Sequence, residues 1–109
     1  MTNQTFTDQV TDQDARSRNF TGKLKRNGTE TWYKDGLFHR DDGPALIRPD
    51  GSKYWYLDGK SHREDGPAIE LAGGSKSWWL NDKLIAKGER PENWDELVLL
   101  AQVEQMMND

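Results

Sequence analysis

His39, Arg40, Asp41 and Asp42 are consecutive, and His62, Arg63, Glu64 and Asp65 repeat the pattern 23 positions later. An imidazole beside a guanidinium and carboxylates is the equipment of a hydrolase or nuclease. Histidine moves a proton, a carboxylate orients it, and arginine holds an anion. The full words are HRDDGPA at 39–45 and HREDGPA at 62–68. Two imidazoles one repeat apart, without a clear third ligand, make a poor metal site. The tripeptide at 39–41 lacks the Gly-rich loop, strand lysine and DFG that accompany a kinase catalytic loop.

The duplication points to a different use. At a spacing of 23, Gly28, Gly51 and Gly74 align, as do Trp32, Trp55 and Trp78, then Tyr33, Tyr56 and Trp79, then Asp35, Asp58 and Asn81. Such a period marks stacked structural units. The motif is complete only where a further unit follows. After the third unit the same positions hold Ile85, Ala86, Gly88 and Arg90. Catalysis needs unlike groups converging once, not equivalent groups at regular intervals. His39, Arg40, Asp42, His62, Arg63 and Asp65 are therefore read as a structural turn motif. Pro44 and Pro67 fix the backbone, Gly43 and Gly66 free it, and the polar side chains bond the turn. A ligand-contacting surface and a catalytic role remain as alternatives. No catalytic residue, metal or cofactor is expected.

The elements that carry these loops read as β. NG, DG and GG at 27–28, 50–51 and 73–74 are tight-turn dipeptides. They join short strands (LKR, ALIR, AIEL) to aromatic ones (TETWYK, SKYWYL, SKSWWL). Asp35-Gly36 and Asp58-Gly59 end the aromatic strands. The expected class is mainly β with one C-terminal α-helix: a meander of antiparallel hairpins from three tandem 23-residue repeats. Residues 20–91 form the repeat array. Residues 1–19 have no clear period and are expected as a flexible N-terminal arm. Residues 92–109 are expected as an amphipathic capping helix. Asn93 and Glu96 supply a capping signature, and Trp94, Leu97, Val98 and Ala101 the docking face.

Side chains alternate along a strand, so Trp32, Trp55 and Trp78 form one column and Tyr33, Tyr56 and Trp79 the other. One column is core. The other, on a sheet with only one helix to cover it, is either plain surface aromatics or a partner-binding surface, for which Tyr33, Tyr54, Tyr56 and Trp79 are the candidates.

Composition narrows the classes. The chain has 109 residues, 33% hydrophobic and 31% charged, with a mean hydropathy of −1.03. That bounds it to one small domain with a thin core. It has no cysteine, so disulfides and thiolate metal sites are excluded. Its net charge of −4 argues against direct nucleic-acid binding or an anionic membrane surface. MTNQTFTDQV lacks a basic start and an apolar run, so no signal peptide is expected and the location is read as cytoplasmic.

At WYKDG (32–36) and WYLDG (55–59) the chain resembles MORN repeat proteins. With the WYxDG-xx-HR-x-DGPA unit it resembles a variant found in uncharacterised phage and bacterial proteins. The resemblance covers about residues 22–90 and departs from ordinary MORN units at HRxDGPA. It implies a non-enzymatic interaction module. In a phage setting, that is a small protein acting in the host cytoplasm to bind and inhibit a host factor, such as a defence complex, in the manner of an anti-CRISPR. The alternatives are a self-assembling scaffold, down to a homodimer, and a hydrolase or nuclease using His39 or His62.

Overall fold

The computed structural model describes residues 19–107. Apart from Asn19, the N-terminal arm expected over residues 1–19 lies outside the described residues. Among the described residues the fold is mainly β, a meander of antiparallel hairpins followed by one C-terminal helix. In order come β1 (Gly22–Arg26), β2 (Thr29–Lys34), β3 (Leu37–Phe38), β4 (Leu46–Ile47), β5 (Lys53–Tyr54), β6 (Tyr56–Leu57), β7 (Lys60–Ser61), β8 (Ile69–Glu70), β9 (Lys76–Leu80), β10 (Lys83–Lys87) and α1 (Trp94–Met107). An eight-stranded sheet runs β1-β2-β4-β5-β8-β9-β10, with β3 added to β2, and β6 pairs β7 separately.

Turn chemistry sets this path. Asn27 and Gly28 have φ of 53° and 83°. Positive φ at both central residues defines the type I′ turn, whose twist matches the strands it joins. The same pairing recurs at Asp35-Gly36, Asp58-Gly59 and Asn81-Asp82. Each of these three turns opens a second short strand, β3, β7 or β10. Each unit therefore holds two hairpins. The two-residue strands LF and KS are too short to show a period.

The register carries Thr31 onto Leu46, Leu46 onto Tyr54, Tyr54 onto Ile69 and Ile69 onto Ser77. Paired residues share a face, so Tyr54 and Tyr56 lie on the side of Thr31 and Tyr33. Trp32, Trp55 and Trp78 lie on the other.

Neither aromatic column is buried along its whole length: Tyr33 and Trp78 are buried, while Trp32, Trp55, Tyr56 and Trp79 are half-buried. The sheet has a core at each end, on opposite faces. Tyr33 and Leu24 are buried in the first unit, with Phe20 and Phe38 packed on them. In the third unit Trp78 and Leu80 are buried against Trp94 and Ala101 of α1, with Ala86, Leu97 and Val98 alongside. One helix is long enough to cover one unit only, so the middle of the sheet needs other cover. Among the described residues no helix is long and apolar enough to cross a membrane.

Candidate functional site

His39–Ala45 and His62–Ala68 are loops whose two ends are tied to one residue. The His39 N–H donates to the Trp32 carbonyl (3.0 Å), and the Trp32 N–H donates to the Ala45 carbonyl (2.7 Å). Trp55 does the same with His62 (3.2 Å) and Ala68 (2.7 Å). The tryptophan backbone therefore bonds the outgoing strand through its carbonyl and the returning one through its N–H. Ala45 and Ala68, where each loop closes, are fully buried. A larger side chain has no space there.

Each histidine reaches across to the next unit. Nδ1 of His39 accepts the Asp58 N–H at 2.9 Å, and Nδ1 of His62 accepts the Asn81 N–H at 2.9 Å. Asp58 and Asn81 are the first residues of the type I′ turns, at φ of 50° and 49°. With Nδ1 accepting, the ring proton belongs on Nε2. There it faces Asp41 Oδ1 (3.0 Å) in one loop and Glu64 Oε2 (3.1 Å) in the other. The sequence assigns each ring to its own turn; the structure gives it to the following one. In the first unit the equivalent Asp35 N–H is taken by the Thr21 hydroxyl at 2.8 Å.

Each arginine lies over its unit's tryptophan. The guanidinium carbon of Arg40 is 4.0 Å from the Trp32 ring centroid, and that of Arg63 is 3.8 Å from Trp55. Nε donates to Asp42 and to Asp65, both at 3.0 Å. Nη1 donates to the Pro44 carbonyl (3.2 Å) and to the Pro67 carbonyl (3.0 Å), and in Arg63 also to Glu70 (3.1 Å). The glycines are required by this stack. A Cβ on Gly43 would stand 2.9 Å from the Arg40 guanidinium carbon, and one on Gly66 2.6 Å from that of Arg63. Each guanidinium thus sits between an indole and a glycine backbone, which makes it the missing cover for the middle of the sheet.

The third unit has Ala86 at the arginine position, and α1 replaces the stack. Trp94 meets Trp78 edge-on, 5.0 Å between centroids at 70°. The Trp94 indole N–H donates to the Glu64 carbonyl at 2.7 Å, which ties the helix to the second loop. Asn81 donates to the Ala101 carbonyl (3.1 Å) and to Glu104 (3.3 Å), and Lys83 Nζ reaches Glu104 at 2.9 Å. These two bonds hold the Glu104 carboxyl below its ordinary range, the lysine bond first.

The residues read as partner-binding are dispersed. Tyr33 is not at a surface: it is 3% exposed, beneath Phe20, Leu24 and Phe38, so its ring offers nothing to a partner. Phe38 connects Tyr33 to Tyr56, with centroids 5.3 and 5.1 Å apart, and Tyr56 is half-buried. Arg48 stands over the Tyr54 ring at 5.4 Å. Trp79 is half-buried, with its indole N–H on the Ser77 hydroxyl at 2.9 Å.

The chemical consequence is that the groups suggestive of catalysis are already bonded. Both nitrogens of each imidazole are engaged, and each guanidinium is stacked and paired. Among the described residues no three His, Asp or Glu side chains converge as a metal ion would require. Five large apolar side chains are exposed together on α1, while Leu37, Leu71, Leu84 and Ile85 are exposed elsewhere on the array. Leu99, Leu100, Val103, Met106 and Met107 are all open to solvent. Their three-and-four spacing is visible in the sequence beside that of the docking face. No family model, curated protein or solved structure matches the chain.

Proposed function

We propose that the chain is a cytoplasmic, non-enzymatic protein-interaction module whose contact surface is the outer face of α1. The repeat array is its scaffold. The observation that carries this reading is the exposure of Leu99, Leu100, Val103, Met106 and Met107 on a helix already docked through its other face. A helix apolar on both sides is suited to burial on both sides. Contiguous exposed apolar surface of this kind marks interaction sites. The engagement of the histidines and arginines within the array supports the same reading. The repeat unit resembles that of uncharacterised phage and bacterial proteins, and a phage setting supplies a biological use, inhibition of a host defence protein.

A photo-crosslinking residue at Leu100, compared with one at Lys25 on β1, tests this. A discrete protein adduct formed from position 100 in host lysate, and none from position 25, is expected. Absence of any protein adduct from position 100, or turnover of a nuclease or ester substrate lost in His39→Ala, would overturn it.

A further inference from the structure

We infer that the occupant of this face is a second copy of the chain, paired antiparallel about a two-fold axis through Val103. The inference rests on the interaction reading above and names its partner.

The spacing is self-complementary. Leu99 and Leu100 precede Val103 by four and three positions; Met106 and Met107 follow it by three and four. Reversing the helix about Val103 returns the same pattern. Two antiparallel copies therefore bring Leu99 onto Met107, Leu100 onto Met106 and Val103 onto Val103. Positions three and four apart share a helix face, so all five meet in one seam. This is the isologous contact that a two-fold dimer needs, in which residue i meets j and j meets i.

The charges permit it. Glu104 is paired with Lys83 at 2.9 Å and Asp95 with Arg90 at 2.8 Å, so neither presents a bare carboxylate to an identical neighbour. Glu96 lies in the first turn of α1, before the five-residue pattern begins. In the antiparallel pair each helix N-terminus lies beside the other's C-terminus, and their dipoles attract. A basic heterologous partner finds little there to bind, because two of the three α1 carboxylates already have cations.

The contact is modest. Fourteen residues span about 21 Å at about 1.5 Å per residue. One helix pair of that length falls below the roughly 1,600 Å² of a standard interface. The dimer should therefore dissociate on dilution rather than be permanent.

Sedimentation equilibrium of the full chain, from low micromolar to near-millimolar concentration, reads the inference out. The wild-type chain should move reversibly from monomer to dimer. Val103→Glu and Val103→Lys each place like charges face to face on the axis and should weaken self-association by ~100-fold. Val103 is half exposed, so both variants should keep the wild-type melting temperature. An equimolar mixture of the two should dimerise again, because the axis puts opposite charges together. A wild-type chain that stays monomeric throughout overturns the inference, as does a folded mixture that fails to pair. If the chain is monomeric and the crosslinker at Leu100 still captures a different protein, the second copy is wrong and the interaction reading stands.

Discussion

The backbone N–H of Asn81 donates to Nδ1 of His62 at 2.9 Å, and 23 residues earlier that of Asp58 donates to His39 at the same distance. Each bond runs from the turn of one unit to the loop of the unit before it. It satisfies an N–H at a left-handed backbone position, where the strand ladder has no acceptor. The histidine is thereby an intermolecular-style contact made within one chain, and its removal should loosen a pair of units. Replacing His39 or His62 by Ala is expected to cost about 1 kcal/mol each, measured by chemical denaturation. His62→Ala should be the more damaging, since Glu64 beside it also receives Gln102 of α1 at 3.1 Å.

The arginine stack should reveal itself through its glycine. Gly66→Ala places a methyl group against the Arg63 guanidinium and should push it off Trp55, at a cost of about 1 kcal/mol for a lost cation–π contact. In an Arg63→Ala background the same substitution should cost almost nothing. A double-mutant cycle on unfolding free energies measures this. Additive effects would mean that Gly66 serves another purpose.

Trp94 should be the most costly aromatic to truncate. It is 1% exposed and bonds the second loop through its indole. Trp94→Ala is expected to cost about 3–5 kcal/mol, as for large core aromatics, and to release α1. Trp55→Ala should cost less than this range, because Trp55 is half-buried and covered by a guanidinium rather than by packed carbon. Thermal melts of the two variants decide the order.

Acid should weaken the helix attachment through Glu104. Its carboxyl is held below its ordinary value of 4.5 by Lys83, then by Asn81. A depressed folded-state value means that the contribution is present above about pH 4.5 and is lost as the pH falls through the lower, folded value. The melting-temperature gap between wild type and Glu104→Gln should therefore be open at neutral pH and close in acid. A gap that persists unchanged at pH 3 would assign the attachment to other groups.

Much of this fold is legible in the sequence because its determinants are local. Asn-Gly and Asp-Gly pairs force the turns, and Asn93 with Glu96 announces α1. The period of 23 places the joints. What the sequence did not disclose is long-range. That His62 serves Asn81 rather than its own turn depends on how neighbouring units stack. That Arg63 covers Trp55 depends on the loop folding back over its own strand, which no local pattern signals. Tyr33 aligns with Tyr56 in the repeat, yet Phe20 and Leu24 bury it in the first unit. The outer face of α1 was written in Leu99, Leu100, Val103, Met106 and Met107, but which of two apolar faces meets the sheet is decided by Trp94 and Trp78.

Amide hydrogen exchange at Asp58 and Asn81 reports on whether the duplicated loops are joints between units. In the wild-type chain both amides should be protected. His39→Ala should expose Asp58 while leaving Asn81 protected, and His62→Ala should do the reverse. Protection at both amides that is indifferent to either substitution would contradict the joint, and would return His39 and His62 to the list of groups available for chemistry.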